Sequence, residues 1–528
     1  MGKQPVVLVI LDGFGISFEK KGNAVAMAKK PNLKYISENY PGTTLRASGM
    51  EVGLSWGEMG SSEVGHANLG AGLVVYQNLA KINLAIKDGS FAKLPAWKKA
   101  VNHAAENQSA IHLMGLLSNG GVHSHIDHLF TILKAIKDLK FRGPAFIHAF
   151  TDGQDVAPES APKFISLLEA ELKKLKIGQI ASLSGRYYAM DKGENWDRTQ
   201  KAYDCFVNGA GNQATNAEEA IAESLAKGIK DEHLEPTVLI DKNGQPLGLI
   251  KNNDAVIFFN FRADRARQIT QAFIFEKFNK FPRKKLENLL FIPLTQYGLD
   301  YPLEPAFPLQ NIVNPLAKII SDAGKTQFHI AEQEKYAHVT YFFNGGEEKE
   351  FLGENRLIIP SKTAASYDLI PEMSAYEIAD NLVQRIKAQE YDFLVANLAN
   401  GDIVGHTGNL KAGIKAVEVL DECLGKILKE TLKAEGTMLI TADHGNVEEM
   451  ISLSTGEIDK EHSVNPVPFW IISPNNKKTD LQKKKQIAPE GILADVAPTI
   501  LELMNLPKPP EMTGNSLLTL VSDCPLPE

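Results

Sequence analysis

The chain has 528 residues, 44% apolar and 23% charged, with 64 acidic against 56 basic side chains and a formal net charge of −8. That length exceeds one ordinary core, so at roughly 150 residues per domain two to four domains are expected; the acidic balance gives no support to nucleic-acid binding. Three widely spaced cysteines, Cys205, Cys423 and Cys524, make no disulfide framework and fit a reducing cytoplasm.

The first element, Pro5-Val-Val-Leu-Val-Ile-Leu-Asp12, reads as a buried strand ending in a carboxylate. Its apolar part is shorter than a signal-peptide core and lacks a cleavage site. Val6 defeats the myristoylation pattern that Met1-Gly2 begins. No apolar run approaches the roughly 20 residues of a membrane span. A soluble cytoplasmic protein is expected. Gly57-Glu-Met-Gly-Ser-Ser-Glu-Val-Gly-His-Ala-Asn68 lacks the Gly-x-Ser-x-Gly elbow. Alone it reads as a turn with Ser61 or Ser62 capping a helix. A serine there becomes a nucleophile if a metal ion lowers its hydroxyl pKa.

Further strands are expected at 111–116, 145–150, 179–183, 255–259, 289–294 and 469–472. Helices are expected at 126–139, 158–175, 375–388, 411–432 and 494–504, with Asp495 and Pro498 in a first helical turn. This alternation reads as α/β with largely parallel sheets. His123-Ser-His-Ile-Asp-His128 matches the H-x-H-x-D-H pattern of dinuclear zinc hydrolases. A helix from Ile126 would turn His128 into the packing, however, and no downstream ligand set supports it. A single His123 acting in catalysis is the better reading. Phe258-Phe-Asn-Phe-Arg-Ala-Asp-Arg-Ala-Arg267 sets Arg262 and Arg265 three apart, on one face if a helix starts there, as suits phosphate or carboxylate. Arg186, Lys192 and Lys335 add cationic candidates. The Lys477–Lys485 run reads as a solvated loop.

The chemistry concentrates late in the chain. Thr437-Met-Leu-Ile-Thr-Ala-Asp-His-Gly-Asn446 ends an apolar run in Asp443 and His444. The run from Asp392 ends in Asp402, with His406 one turn on. In open α/β sheets, ligands gather where parallel strands end. Asp12, Asp402, His406, Asp443, His444 and His462 therefore form a candidate divalent-cation set, and without cysteine it leans toward a hard ion. The proline-rich segment Tyr301–Pro308 reads as a linker, with a second crossing near Val74–Asn78. The expected organisation is a discontinuous domain, 1–76 plus 311–528, with 77–310 inserted.

The ordered segments Leu11-Asp-Gly-Phe-Gly15, Met59-Gly-Ser-Ser-Glu-Val-Gly-His66, Phe259-Asn-Phe-Arg262, Glu334-Lys-Tyr-Ala-His-Val339, Asp402-Ile-Val-Gly-His-Thr407, Ala442-Asp-His-Gly-Asn446, Asn465-Pro-Val-Pro-Phe469 and Glu511-Met-Thr-Gly514 resemble the cofactor-independent phosphoglycerate mutases of the alkaline phosphatase superfamily. The resemblance implies an alkaline-phosphatase-like domain with a parallel-rich sheet flanked by helices, carrying an inserted α/β transferase domain. It implies two Mn²⁺ ions, with other divalent cations compatible, and no organic cofactor. One ion would be held by Asp402, His406 and His462, the other by Asp12, Ser62, Asp443 and His444. Ser62 would be the nucleophile that carries the phosphoryl group between the hydroxyls of glycerate. His123, Asp155, Arg186, Lys192, Arg262, Arg265 and Lys335 would face the substrate, with His123 or Asp155 handling the hydroxyl proton and Lys335 acting in catalysis. The resemblance further implies a small-molecule substrate and a monomer.

Two departures stand out. The family's Asp-Gly-Arg-Asp is Asp152-Gly-Gln-Asp155 here, so neutral Gln154 replaces an arginine, and Lys192 replaces a second one. The competing readings are a plain metal-dependent phosphomonoesterase or phosphodiesterase, a pentose-phosphate mutase of the same superfamily, and a non-catalytic binding protein. The last would be marked by loss of the nucleophile or a ligand.

Overall fold

Val6–Leu11 is six apolar residues in a row, and in the computed structural model it is buried along its whole length. Such a run, rather than an alternating one, is what a parallel strand covered on both faces requires. Residues 3–478 and 491–519 are described; Cys524 and residues 479–485 of the lysine-rich run lie outside them. Cys205 and Cys423 are buried free thiols, and no described helix is long and apolar enough to cross a membrane.

The chain divides into two compact units, Met1–Gln77 with Gln310–Glu528, and Asn78–Leu309. In the first, eight strands run in the order Glu354–Ile359, Gln327–Glu332, Phe393–Leu398, Val6–Leu11, Thr437–Thr441, Val467–Ile472, Gly42–Arg46, Gly491–Ile492. The first five are mutually parallel, and Val467–Ile472 is antiparallel to both its neighbours. Register pairs Leu11 with Leu398 and Ile10 with Thr441, so the three strands that lead to Asp12, Asp402 and Asp443 stop at one level. Ala375–Ala388 and Leu410–Lys433 pack against this sheet. The second helix buries Ala416, Leu420, Cys423, Ile427 and Thr431, a spacing of three to four that gives one apolar face. Its Asp421 accepts from the backbone N–H of Asn32 and Leu33, capping helix Pro31–Asn39, whose own N-cap residue Lys30 offers no oxygen.

The second unit carries seven strands in the order Asn212–Ala214, Thr237–Leu239, Gln179–Gly185, Ala145–Thr151, Ile111–Leu116, Ala255–Phe258, Leu290–Pro293. Only the Thr237–Leu239 pairing with Gln179–Gly185 is antiparallel. Both units are thus α/β with parallel-rich sheets, as the alternation of elements predicts.

A row of polar side chains crosses the second sheet inside its core. Asp254 Oδ2 lies 3.1 Å from His112 Nε2, His112 Nδ1 2.9 Å from His148 Nε2, and His148 Nδ1 2.7 Å from Ser182 Oγ. The carboxylate sets the direction: His112 Nε2–H donates to Asp254, His148 Nε2–H to His112, and the Ser182 hydroxyl to His148. Burial pushes both imidazoles below their ordinary value and keeps them neutral. All four ring nitrogens are used, so these histidines tie neighbouring strands together.

Two expectations need correction. Tyr301–Pro308 is not a free linker: Tyr301, Ala306 and Phe307 are buried, and Phe307 packs its ring 5.6 Å from that of Phe91. Its prolines limit helix and strand, but its aromatic residues still need a core. Arg262 and Arg265 do not share a helix face, because the helix begins only at Arg267.

Candidate active site

Each strand end delivers its ligand by a different local device. Asp12 follows Leu11 directly, and Asp443 follows Thr441 by two residues. Asp402 lies beyond Leu398 in the short helix Asn400–Gly405, with His406 at its C-cap, four residues on. Gly13, at φ 70°, lets the turn after Asp12 close on this helix: a Cβ there would stand 2.6 Å from the Asp402 backbone. Ser61 caps helix Ser62–Ala71 and Ser62 is its first residue, which sets the Ser62 hydroxyl at a helix amino terminus, where anions are favoured. Gly65 allows that helix to meet the strand end, since a Cβ would stand 2.5 Å from the Asp443 carbonyl oxygen.

Two groups of ligand-type atoms result, Asp12 with Asp443 and His444, and Asp402 with His406 and His462; within each, the atoms lie within 4.8 Å of one another. His406 Nδ1 lies 2.6 Å from the Lys460 carbonyl oxygen, His462 Nδ1 2.7 Å from that of Gly60, and His444 Nδ1 3.2 Å from that of Gly445. Carbonyls only accept, so each Nδ1 bears the proton and each Nε2 presents a lone pair. Those of His406 and His462 both stand 3.1 Å from Asp402 Oδ1, and that of His444 stands 2.9 Å from Ser62 Oγ. Asp402 Oδ1 and Asp443 Oδ2 are buried without a hydrogen bond. Converging lone pairs and orphaned buried carboxylate oxygens are what a divalent cation satisfies, so the donor set fits one in each group.

Lys335 links the groups. Its Nζ is 2.8 Å from Asp12 Oδ1, 2.6 Å from Asp402 Oδ2 and 2.6 Å from Ser62 Oγ. Burial opposes its charge, but Asp12, Asp402 and Asp443 outweigh that and hold its pKa above the ordinary lysine value. Burial, then the neighbouring Asp443, raises the pKa of Asp12. Asp402 is held well below the carboxylate range despite burial, chiefly by Lys335.

Residues without a sequence-level role complete this shell. His66 Nδ1–H donates to the Ser62 carbonyl at 2.8 Å and stands 3.2 Å from Asp443 Oδ2. Its Nε2 accepts from Asn397 Nδ2 at 3.0 Å, and that same amide donates to Asp12 Oδ2 at 2.6 Å. Two side chains thus orient three groups. Glu448 accepts from the backbone N–H of Gly15 and Asn446, each at 2.9 Å, and ties two site loops together. The available signals were a polar Asn397 inside the apolar strand Phe393–Leu398 and the His66 that closes the Gly-Ser segment.

The second unit gathers a different set at its own strand ends. His123 Nδ1 is 2.7 Å from Asp155 Oδ2, and buried Arg186 reaches Asp152 Oδ1 at 2.5 Å and Asp155 Oδ1 at 2.8 Å. Burial raises the Asp155 pKa less than His123 and Arg186 lower it. Asp264, absent from the sequence-level set, draws in Arg262 at 3.2 Å, Lys192 at 3.5 Å and His123 Nε2 at 3.6 Å. Arg265 stands apart, donating to the Met190 carbonyl at 3.3 Å. Gln154 turns its amide to Glu232. The His-Ser-His-Ile-Asp-His segment does not converge: His125 caps the helix, Asp127 is exposed, and buried His128, its pKa pushed down by burial to about 3, bonds Asn83.

Fold and site together define α/β enzymes that set a serine hydroxyl between two Asp/His groups, each a candidate for holding a cation, at the carboxyl ends of parallel strands. The family model for the BPG-independent PGAM N-terminus (iPGM_N) matches residues 82–299. The 2,3-bisphosphoglycerate-independent phosphoglycerate mutase of Clostridium acetobutylicum is 51% identical over 98% of this chain and 100% of its own length; that of a Clostridium botulinum strain is 49% identical over the same shares. A crystal structure of Leishmania mexicana phosphoglycerate mutase at low cobalt concentration matches with a TM-score of 0.58 and 31% identity, covering 97% of both chains. The chain belongs to the 2,3-bisphosphoglycerate-independent phosphoglycerate mutases and is an isomerase.

Proposed function

We propose that the chain interconverts 3-phosphoglycerate and 2-phosphoglycerate through a phosphoserine at Ser62, with Mn²⁺ in both Asp/His groups, as a cytoplasmic monomer. The observation that carries this reading is the position of Ser62 Oγ, within 3.1 Å of Asp12 Oδ1, His444 Nε2 and Lys335 Nζ together. When bound, Mn²⁺ supplies Lewis acidity that lowers the hydroxyl pKa and offsets phosphoryl charge. Ser62, its hydroxyl proton lost to solvent on ionisation, attacks the phosphorus of 3-phosphoglycerate; a new Oγ–P bond forms as the bond to the 3-oxygen breaks, leaving glycerate, and Oγ returns to the alkoxide when the phosphoryl group moves to the 2-oxygen. Lys335 donates to Ser62 Oγ and stabilises negative charge there. The helix amino terminus at Ser62 favours the phosphoryl anion in the same way.

In the second unit, Arg186 and Arg262 suit the substrate's carboxylate and phosphoryl oxygens through planar guanidinium forks, and Lys192 offers a point charge. The His123–Asp155 pair gives a proton to the 3-oxygen as it leaves phosphorus and takes the proton of the 2-hydroxyl as that attacks phosphoserine; in the reverse direction the two oxygens exchange roles. The test is interconversion of the two phosphoglycerates without added 2,3-bisphosphoglycerate, by chelated and then Mn²⁺-restored protein. Activity lost on chelation and regained with Mn²⁺ supports the reading; activity that ignores chelation or needs the bisphosphate overturns it.

A further inference from the structure

The second unit has another feature at the opposite ends of its strands. His123, Asp155 and Arg186 follow the carboxyl ends of Ile111–Leu116, Ala145–Thr151 and Gln179–Gly185. The helices Ile126–Asp138 and Ala161–Leu175 return to the amino ends of the last two. Left-handed residues Lys140 (φ 62°) and Lys176 (φ 55°) turn the chain from helix toward strand, and a pocket of about 610 Å³ opens between the two connections. Seven-residue strands place it roughly 20 Å from His123 and Arg186.

Lys137, Lys140, Arg142 and Lys176 line this pocket, and no carboxylate does. All four are exposed, and among the described residues none has a carboxylate within 4.0 Å. The nearby acids are engaged elsewhere, Asp138 with Lys134 at 2.8 Å and Glu171 with Lys174 at 2.9 Å. The two helix carboxyl ends contribute about −0.5 charge each, which leaves a surplus of roughly three positive charges. In a chain of net charge −8, an unpaired cationic concavity is a local exception. Its remaining wall is half-buried Phe141, Phe146 and Ile177, a mixture of apolar surface and convergent charge in the size range of small-molecule sites.

We propose that this pocket binds a chain of two or three phosphates, free or carried on a nucleoside. The test is calorimetric titration of the metal-loaded enzyme, its catalytic site kept filled with 3-phosphoglycerate, using magnesium tripolyphosphate and magnesium ATP. Saturable binding is expected that weakens about tenfold or more in the triple variant Lys140→Glu, Arg142→Glu, Lys176→Glu, and less in Arg142→Gln, with turnover and thermal unfolding unchanged. Added salt should weaken it too. ATP binding tighter than tripolyphosphate identifies a nucleoside resting on the apolar wall, whereas equal affinities identify the phosphate chain alone. Failure of both probes to bind the wild-type enzyme, or undiminished binding by the charge-reversed variants, overturns the proposal.

Discussion

The clusters at the strand ends of the two units solve the problem of buried charge in opposite ways. In the second unit Arg186 neutralises Asp152 and Asp155 from within the chain, and His123 closes onto Asp155. In the first, Asp12, Asp402 and Asp443 share one ammonium, that of Lys335, and leave buried oxygens of Asp402 and Asp443 without a hydrogen bond. The difference teaches that the first cluster is built for charge arriving from outside, while the second balances its charge within the chain and keeps unpartnered polar atoms, Asp152 Oδ2, Arg186 Nε and His123 Nε2, to exchange with a ligand. A buried carboxylate without such help gives up its charge. Glu332, at the end of its strand with Oε1 unpartnered, is pushed up by burial to about 7, whereas Asp155 stays below the ordinary carboxylate value.

The largest expected effect breaks the first cluster at its centre. Ser62→Ala should lower mutase turnover by about four orders of magnitude and abolish phosphoserine trapped by acid quench; residual phosphoserine at wild-type level would move the nucleophile elsewhere. Next, His66→Leu and Asn397→Leu should weaken cation binding at the Asp12 group about 10- to 100-fold by freeing its ligands. Calorimetry should show the Asp402–His406–His462 group unaffected, and unchanged affinity at both would make His66 a space-filler. Arg186→Lys should raise KM about tenfold while changing kcat less, because one ammonium cannot replace the fork that spans Asp152 and Asp155; an unchanged KM would remove Arg186 from substrate binding.

Glu332→Gln tests the contrast in stability. A carboxyl raised in the folded state adds no penalty below the unfolded pKa near 4.3, and the penalty grows as pH rises through about 7. The variant should therefore match wild type near pH 4 and be more stable at pH 8, by about 1 kcal/mol with roughly 3 as the ceiling. Equal Tm values at both pH values would show that Glu332 ionises freely. Smallest is the effect of Gln154, whose amide is turned to Glu232 where the family pattern has an arginine. Weaker retention of glycerate should release a small amount of inorganic phosphate per turnover, and Gln154→Arg should reduce it; no release above background rejects this.

The architecture was legible where burial is uniform. Val6–Leu11, Phe393–Leu398 and Thr437–Thr441 read as strands because a sheet covered on both faces accepts only apolar runs. Gln327–Glu332 was not legible, since its buried polar residues look unlike a core strand. Gln327 is satisfied by the Ala317 carbonyl and His329 by that of Val339, partners that only the fold supplies. Thr237–Leu239 and Asn212–Ala214 are three residues each, too short for a period to register.

The sequence by itself determined the α/β class, the uniformly apolar strands, the carboxylates at their ends and the family, because these rest on local periodicity and ordered motifs. Tertiary structure alone decided which nitrogen of each histidine faces inward, that Lys335 spans both Asp/His groups, and that the Arg265 guanidinium turns to the Met190 carbonyl. It also brought His66 and Asn397, 331 residues apart, into one hydrogen bond. The physical reason is that hydrogen-bond direction and charge pairing depend on atoms brought together by the packing of distant segments, which residue spacing does not encode.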